Sequence, residues 1–342
     1  MAYQVEVVET GAVFEVNPEE KLLEAAARQG VKIYSDCEFG GCGTCRIKVV
    51  QGAVHYEDDF LPMSLSEEEH AEGFAAACQA HLSANIKISL ANHLDELPEA
   101  HVMSLDVASV TPLCKGVREL RLRGDDLAQV SYLPGQYLNI LVGDGRSRSF
   151  SMACATAQNN ELRLFIREIA GGQFTQRLLP QLTPGQTLQV ELPLGTFYYR
   201  ERDWRPIVFI ATGTGIAPIR AILESLLDNE DCPPIHVYWG MRTEEDLYQQ
   251  AEFESWAPRL SDFVFTPVLS QPSANWTGRV GYVQEAVAAD YVDASEPAFY
   301  LCGAPAMIEE ATTKLKAQGA ESDFIYADAF TFQHEQVVLE SA

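Results

Sequence analysis

The stretch "CEFGGCGTC", residues 37–45, places three cysteines and three glycines within nine positions. Its spacing is Cys37-x4-Cys42-x2-Cys45, and Cys78 follows after a gap of 32 residues. A zinc site usually takes its four ligands as two close pairs, whereas Cys78 stands alone. A redox Cys-x-x-Cys pair would use only Cys42 and Cys45. The pattern C-x4-C-x2-C with one distant cysteine is typical of a plant-type [2Fe–2S] centre, and it uses all four thiols.

The glycines of this loop favour the iron–sulfur interpretation over zinc. Cluster sulfurs accept hydrogen bonds from backbone N–H groups. A backbone can wrap that tightly only where side chains are absent and positive φ is allowed, and Gly40, Gly41 and Gly43 meet this requirement. We therefore predict a [2Fe–2S] cluster. Its expected ligands are Cys37, Cys42, Cys45 and Cys78.

Length and charge narrow the possible functions. A chain of 342 residues is long enough for two or three domains. Its net charge of −25 argues against nucleic-acid binding, which needs a basic surface. The first residues indicate a strand rather than a signal peptide, and no apolar run reaches membrane-spanning length. We expect a cytoplasmic protein without a membrane segment.

Acidic residues are concentrated at the N-terminal end. Residues 1–100 hold 18 acidic and 6 basic side chains. This acidity indicates either simple solvation or a docking face for a basic partner. The candidate charges of such a face are Asp58, Asp59, Glu67, Glu68 and Glu69.

Three blocks divide the chain. Residues 1–95 predict a hairpin, a helix over 18–30, a strand after the cysteine loop, a second short helix and a closing strand, which together make a compact α+β domain. Beyond a polar linker, residues 102–202 alternate short strands with turn signals, which predicts an antiparallel β-barrel with one short helix over 172–182. Residues 205–335 alternate strands and helices, which predicts a doubly wound parallel α/β sheet.

These features together resemble a known family. Residues 1–95 resemble a plant-type ferredoxin domain, whose fold is a β-grasp. The whole chain resembles the reductase components of bacterial multicomponent oxygenases, of the benzoate dioxygenase reductase type, within the ferredoxin–NADP reductase superfamily. The resemblance implies an FAD-binding barrel domain at 102–202 and an NAD-binding domain at 205–335.

The barrel block carries two strings that the resemblance assigns to a flavin. In "RSRSFSMA", residues 146–153, Arg148 is implied to bind phosphate, Phe150 to pack on the flavin and Ser151 to meet the isoalloxazine edge. The family usually has tyrosine in place of Phe150, so the hydroxyl contact to the ribityl chain is missing. The segment Gly172-Gln173-Phe174-Thr175 opens a predicted helix, an anion-binding position, and is implied to meet the flavin phosphates. FAD is favoured over FMN because relatives with a ferredoxin domain usually hold FAD.

The last block carries the nicotinamide signals. In "ATGTGIAP", residues 211–218, glycines follow a strand and open a helix, where a pyrophosphate can approach the backbone closely. This string lacks a strict G-x-G-x-x-G but matches the superfamily's turn. Its implied binding residues are Thr212, Gly213, Thr214 and Gly215. In "YLCGAPAM", residues 300–307, the resemblance places Cys302 and Gly303 beside the nicotinamide, although a buried cysteine is more often simple packing.

The string "YADAF" near the end of the chain supplies a further candidate, because family members end with an aromatic residue near the flavin face. This residue is Phe330 here, so the predicted catalytic residues are Cys302, Ser151 and Phe330. NADH is favoured over NADPH. Arg242 could bind a 2′-phosphate, but the acidic run 244–246 would repel it.

The predicted function is electron transfer from NADH through FAD and a [2Fe–2S] cluster to a terminal oxygenase. A Rieske aromatic-ring-hydroxylating dioxygenase, acting in aromatic hydrocarbon catabolism, is the favoured partner. The alternatives are a di-iron monooxygenase and a CDP-sugar deoxygenation system. An iron–sulfur electron carrier without flavin is a different class, which the flavin strings disfavour. We expect the chain to be a monomer on its own.

Overall fold

The computed structural model describes residues 2–35, 40, 43–57, 60–62, 64–90, 97–143 and 146–330. Within these residues the chain forms three main sheets, of five, six and six strands. Each sheet follows one of the three sequence blocks, which confirms the predicted fold class. No helix in the described part of the chain is both long enough and apolar enough to cross a membrane.

The first sheet forms a β-grasp core. Its strand order is β2-β1-β7-β3-β5, with β1 antiparallel to β2 and parallel to β7. Helix α1 buries Leu22, Ala25 and Ala26 against this sheet. The elements are β1 Tyr3–Val7, β2 Val13–Val16, α1 Leu22–Arg28, β3 Arg46–Gln51, β4 Val54–His55, α2 Glu67–Ala71, β5 Phe74–Ala76, β6 His81–Leu82 and β7 Ile86–Ser89.

Helix α1 is shorter than the helix predicted over 18–30. Glu19 adopts a φ of +64°, in the left-handed region that an α-helix excludes. The Glu20 carboxylate accepts a 2.9 Å hydrogen bond from the backbone N–H of Asn17 and pairs with Arg28 at 2.8 Å. These side-chain bonds stabilise a turn ahead of the helix, so helical geometry begins only at Leu22.

The second sheet closes into the predicted antiparallel barrel. Its strand order is β11-β10-β13-β8-β9-β12, and an antiparallel bridge between Met152 and Leu164 joins the two ends. Alternate residues of these strands, such as Leu120, Leu138 and Leu164, point into one apolar core. The strands are β8 His101–Cys114, β9 Val117–Arg123, β10 Tyr137–Gly143, β11 Arg146–Ser151, β12 Glu161–Arg167 and β13 Thr187–Leu194.

The short helix predicted over 172–182 is not an α-helix. Gln173–Leu178 form one π-helical turn, and Leu179–Gln181 continue as a 3-10 turn. Pro180 lacks a backbone N–H and so cannot extend an α-helical ladder. The N-terminal end of the segment nevertheless lies where the sequence places it, directly after Gly172.

The third sheet is parallel throughout, as predicted. Its strand order is β17-β16-β15-β14-β18-β19. The chain moves from β14 to β15 on one side and later returns to β18 on the other, so a crevice opens beyond the carboxyl end of β14. The elements are β14 Ile207–Thr212, α3 Ile216–Ser225, β15 Ile235–Met241, α4 Gln250–Trp256, β16 Val264–Leu269, β17 Arg279–Val280, α5 Val283–Asp290, β18 Ala298–Gly303, α6 Pro305–Ala317 and β19 Ile325–Ala329.

Candidate functional site

Two of the four predicted cluster ligands lie among the described residues. Cys45 and Cys78 are both buried, with exposures of 2% and 3%. The backbone N–H of Ala77 donates a 3.1 Å hydrogen bond to the carbonyl of Cys45, so the two segments lie side by side. Tyr56 lies close by, and burial, followed by the nearby Cys45 and Cys78, raises its pKa to about 12. Cys37 and Cys42 fall outside the described residues.

The glycines beside these cysteines fit a tight loop. Gly40 has a φ of +82°, and a Cβ atom built on it would lie 2.8 Å from Cβ of Pro62. Gly43 also adopts a positive φ, of +78°. A side chain at position 40 would therefore be both strained and sterically blocked. The bare backbone and the two buried thiols fit a thiolate-ligated cluster, and the ligand set stays a prediction.

The predicted flavin strand is the barrel strand β11. Its residues pair with β10, with Arg148 opposite Ile140 and Phe150 opposite Leu138. The ring of Phe150 packs against Phe174, with centroids 5.3 Å apart. Ser151 ends the strand and is buried. Since Phe174 belongs to the turn after Gly172, the structure brings the two predicted flavin strings together.

Thr175 has a bond that its predicted phosphate role did not include. Its hydroxyl oxygen accepts a 3.1 Å hydrogen bond from the backbone N–H of Ile169. The backbone N–H of Gly171 donates to the side-chain oxygen of Gln176 at 2.8 Å. These bonds fix the turn that presents Gln173. Thr175 thus shapes this loop, and phosphate contacts by Gly172, Gln173 and Thr175 stay predictions.

The predicted nicotinamide turn lies against Cys302. A Cβ atom built on Gly215 would come 2.1 Å from the carbonyl oxygen of Cys302, so only glycine allows this approach. The hydroxyl oxygen of Thr212 accepts a 3.0 Å hydrogen bond from the backbone N–H of Ala304. The ends of β14 and β18 therefore form one wall of the crevice, with Thr212, Gly213, Thr214 and Gly215 beside Cys302 and Gly303.

Cys302 is fully buried at the end of β18. Its sulfur lies 3.9 Å from Oδ2 of Asp328, its neighbour on β19. Burial, followed by the Asp328 carboxylate, raises the pKa of the Cys302 thiol well above its usual range. The thiol is therefore neutral at physiological pH.

Phe330 lies in the same crevice. Its backbone N–H donates a 2.8 Å hydrogen bond to the carbonyl of Gly303, and its ring packs against the core cluster that contains Cys302. Two of the three predicted catalytic residues, Cys302 and Phe330, are thus neighbours.

Two residues at this crevice were missed by the sequence reasoning. Asp328, inside the quoted "YADAF" string, is the carboxylate beside Cys302. Arg167 ends β12 of the barrel, and a Cβ atom on Gly213 would lie 3.7 Å from its Nη1. A guanidinium beside a phosphate-binding turn suits pyrophosphate recognition. Arg167 lies close in sequence to the predicted flavin-binding segment that begins at Gly172, but only the folded chain brings it to the predicted nicotinamide turn at Gly213.

Comparison with protein families matches each block of the chain. A 2Fe-2S iron-sulfur cluster binding domain matches residues 5–83, an oxidoreductase FAD-binding domain matches 104–199, and an oxidoreductase NAD-binding domain matches 209–313. The anthranilate 1,2-dioxygenase electron transfer component of Acinetobacter baylyi is 34% identical over 322 residues, covering 92% of both chains. The chain belongs to the ferredoxin–NADP reductase superfamily, in the family whose members begin with a 2Fe-2S ferredoxin domain.

Two further similarities extend over nearly the whole reductase. The CDP-6-deoxy-L-threo-D-glycero-4-hexulose-3-dehydrase reductase of Yersinia pestis is 31% identical over 334 residues, covering 96% of this chain and 99% of its own. The crystal structure of the Amycolatopsis cytochrome P450 reductase GcoB superposes with a TM-score of 0.71 at 29% identity, covering 96% of this chain and 99% of its own. The protein is therefore an oxidoreductase with 2Fe-2S, FAD and NAD-binding domains in that order.

A buried arginine joins the FAD and NAD domains of this reductase. Arg220 of α3 is 1% exposed and donates to the carbonyl of Ala153, just beyond the flavin strand. Its guanidinium pairs with Glu252 at 2.6 Å and with Glu224 at 3.3 Å. Glu224 in turn accepts a 2.7 Å hydrogen bond from the N–H of Ala155. These bonds hold the end of the predicted flavin strand against α3, the helix that follows the predicted nicotinamide turn.

One residue of the predicted docking face is not a surface charge. Glu69 is buried, pairs with Arg46 and completes a capping box with Ser66 at the start of α2. The Glu69 carboxylate interacts within the ferredoxin domain, where it pairs with Arg46 and caps the N-terminus of α2. Glu67 and Glu68 are exposed, and Asp58 and Asp59 lie outside the described residues.

Proposed function

We propose that this chain is an NADH-dependent reductase that supplies electrons to a terminal oxygenase, with a Rieske aromatic-ring-hydroxylating dioxygenase as the favoured acceptor. The observation that supports this most is the crevice in which Gly215, Cys302 and Phe330 meet. It lies beside the barrel that carries the flavin strand, in a chain that also carries a ferredoxin domain.

When bound, the cofactors would supply the redox chemistry, which is hydride transfer between nicotinamide and flavin and single-electron transfer through an iron–sulfur cluster. The protein's part is positioning. The turn at Thr212–Gly215 would bind the pyrophosphate, with the guanidinium of Arg167 nearby. The neutral thiol of Cys302 would pack beside the nicotinamide without placing a negative charge there. Phe330 would cover the flavin face, and Arg148, Phe150 and Ser151 would hold the flavin.

The preference for NADH is supported by Glu244. Its carboxylate accepts a hydrogen bond from the backbone N–H of Ser273 at 3.1 Å and another from the Ser273 hydroxyl, and these bonds lower its pKa. A fixed negative charge just beyond the end of β15 would repel a 2′-phosphate. Arg242 is exposed and close in sequence, so the balance between the two residues decides the preference.

The identity of the acceptor rests on similarity. The anthranilate dioxygenase component supports a Rieske dioxygenase. The Yersinia reductase, matched over 99% of its length, supports a CDP-sugar deoxygenation system as the second candidate. The FAD-binding domain match at 104–199 favours both over a flavin-free electron carrier. We keep the prediction of a cytoplasmic monomer as part of this proposal.

Two assays test the proposal. The purified holoprotein should reduce ferricyanide with NADH much faster than with NADPH. It should then support substrate hydroxylation by a purified Rieske dioxygenase. A parallel assay tests whether the same protein supports turnover of a CDP-sugar 3-dehydrase. Failure to reduce ferricyanide with either nucleotide would refute the reductase function. Turnover of the dehydrase alone would replace the dioxygenase with the second candidate.

A further inference from the structure

The ferredoxin domain contacts the NAD domain through a buried lysine. Lys316 lies near the end of α6, and its side chain is only 10% exposed. The ion pair that the described residues give it comes from the other domain: Nζ lies 3.3 Å from Oε1 of Glu72. An ammonium removed from water is costly unless a carboxylate pairs with it. The surface of the NAD domain at Lys316 is therefore built to be covered by the ferredoxin domain.

Glu72 makes a second contact to the NAD domain. Its Oε2 accepts a 2.8 Å hydrogen bond from the hydroxyl of Ser322, which lies in the turn directly before β19. The Glu72 side chain is 45% exposed. Its partial burial raises the pKa, but the hydrogen bond from Ser322 and the ion pair with Lys316 outweigh this and hold the pKa below its usual value. The carboxylate is thus ionised at neutral pH and joins two segments of the NAD domain.

Arg46 adds a third contact close to the cysteine loop. It follows the predicted ligand Cys45 directly in sequence, and its Nη2 lies 3.5 Å from the carbonyl oxygen of Ser322. Its guanidinium is held by the ion pair with Glu69 and lies 4.8 Å from the centroid of the Phe74 ring. The backbone segment that carries Cys45 is therefore connected to the turn that leads into β19.

Arg46 and Lys316 also line a cleft between the ferredoxin domain and the NAD domain. The cleft has a volume of about 260 Å³. Gly43 and Thr44 of the cysteine loop line one side, and Tyr326, Ala327 and Ala329 of β19 line the other. Strand β19 carries Asp328 and leads into Phe330. Gly43 and Thr44, which directly precede the predicted ligand Cys45, thus lie at the same cleft as the strand that carries Asp328.

We propose that Glu72, through Lys316 and Ser322, is a positioning residue that holds the ferredoxin domain over β19, so that electrons pass from flavin to cluster within one chain. The inference rests on the proposed reductase function. A domain held in place by such a contact spends more time in the arrangement that allows transfer than a domain that is merely tethered. Loss of the contact should therefore slow the flavin-to-cluster step and leave the steps before it unchanged.

Charge exchange tests this positioning role. In the holoprotein mixed rapidly with NADH, Glu72→Lys and Lys316→Glu should each slow bleaching of the cluster at least about tenfold. Flavin reduction and ferricyanide turnover should stay at wild-type rates. The double variant Glu72→Lys/Lys316→Glu should recover most of the loss because it restores an opposite-charge pair. Ser322→Ala is a milder variant that leaves every charge in place and should slow cluster bleaching by a smaller factor.

The matched control is Glu6→Lys. Glu6 pairs with Lys87 at 2.9 Å inside the ferredoxin domain, so the variant makes the same change in charge away from the NAD domain. Its cluster should bleach at the wild-type rate. Wild-type bleaching rates in both single variants, or a double variant as slow as the single ones, would overturn the inference. A wild-type protein whose flavin is not reduced by NADH would instead refute the proposed function.

Discussion

The sulfur of Cys302 lies 3.9 Å from the carboxylate oxygen Oδ2 of Asp328, on the neighbouring strands β18 and β19. The pairing places a negative charge next to a thiol that has no access to solvent. Both conditions disfavour the thiolate, so Cys302 is a neutral, polarisable side chain in the wall of the crevice. This suits a residue that packs against a reacting ring rather than one that attacks it.

Replacing Cys302 should slow hydride transfer more than it weakens nucleotide binding. We expect Cys302→Ala to lower the rate of flavin reduction by NADH at least about tenfold, with a much smaller change in the dissociation constant, because packing in the reacting geometry is lost. Rapid-mixing spectroscopy over a range of NADH concentrations separates the two effects. Cys232→Ala, at a buried cysteine of the same domain, is the control and should reduce its flavin normally. A normal rate in Cys302→Ala would contradict the assignment.

Loss of Cys78 should remove the cluster and spare the flavin. Cys78→Ser is expected to abolish the visible iron–sulfur absorbance, while NADH-dependent ferricyanide reduction persists, because the predicted ligand lies in a separate domain. The readouts are iron content and the absorbance spectrum. Cys114→Ser, at a partly exposed cysteine of the barrel, should keep its cluster. An intact cluster in Cys78→Ser would show that the ligand set is wrong.

Gly215 tolerates no side chain. Gly215→Ala would place a methyl group 2.1 Å from the carbonyl oxygen of Cys302, so β14 and β18 must separate. Such overpacking typically costs about 1–3 kcal/mol. We expect a fall in the thermal midpoint of several degrees and a clear rise in KM for NADH, with bound flavin retained. An unchanged KM would mean that the turn does not bind the nucleotide.

Electron delivery to the oxygenase should weaken as salt rises. Attraction between an acidic ferredoxin domain and a basic partner is screened over about 8 Å at physiological ionic strength. The double variant Glu67→Gln/Glu68→Gln removes two exposed charges of the predicted docking face and should slow oxygenase reduction at low salt, with unchanged ferricyanide turnover. Glu230→Gln/Asp231→Asn, on the NAD domain, is the control. Salt-independent reduction by the wild type would rule out electrostatic steering.

Acid should destabilise the NAD domain through His236. Its ring is partly buried, with Nε2 2.8 Å from Oγ1 of Thr266, and burial lowers its pKa from 6.5 to about 4. The unfolded chain binds a proton at His236 below about pH 6.5, whereas the folded chain binds it only near pH 4. The free energy of unfolding therefore decreases as the pH is lowered from about 6.5 to about 4. With allowance for the ring's partial exposure, the loss is about 1 kcal/mol. In the variant His236→Gln, the free energy of unfolding should depend less on pH between about 4 and 6.5. An equally steep pH dependence in the variant would exclude His236 as the cause.

Local patterns made much of the architecture predictable. The cysteine spacing, the alternating strands and the turn at 211–218 each depend on neighbours in sequence. The start of α1 was misplaced because Glu19 takes a left-handed conformation that no propensity indicates. The burial of Glu69 was missed because its partner Arg46 lies 23 residues away.

The longest-range relationships were the least visible. Asp328 becomes a neighbour of Cys302 only through the pairing of β18 with β19, and Glu72 meets Ser322 across 250 residues. Neither pair can be recognised from the spacing of residues in the sequence, because the strand order and the contact between domains determine which residues meet. The sequence therefore predicts which segments bind the cofactors, whereas the contacts that position these segments can be identified only in the folded chain.

Because Cys302 is buried, its reactivity can report how often the sheet around β18 opens to solvent. Alkylating reagents such as maleimides need both an accessible sulfur and a thiolate, and Cys302 offers neither while β18 is packed between β14 and β19. Its rate of labelling therefore measures how often this part of the sheet opens to solvent. Nucleotide bound in the crevice should slow the labelling in proportion to its occupancy, so covalent mass tagging can follow the nucleotide site without any turnover.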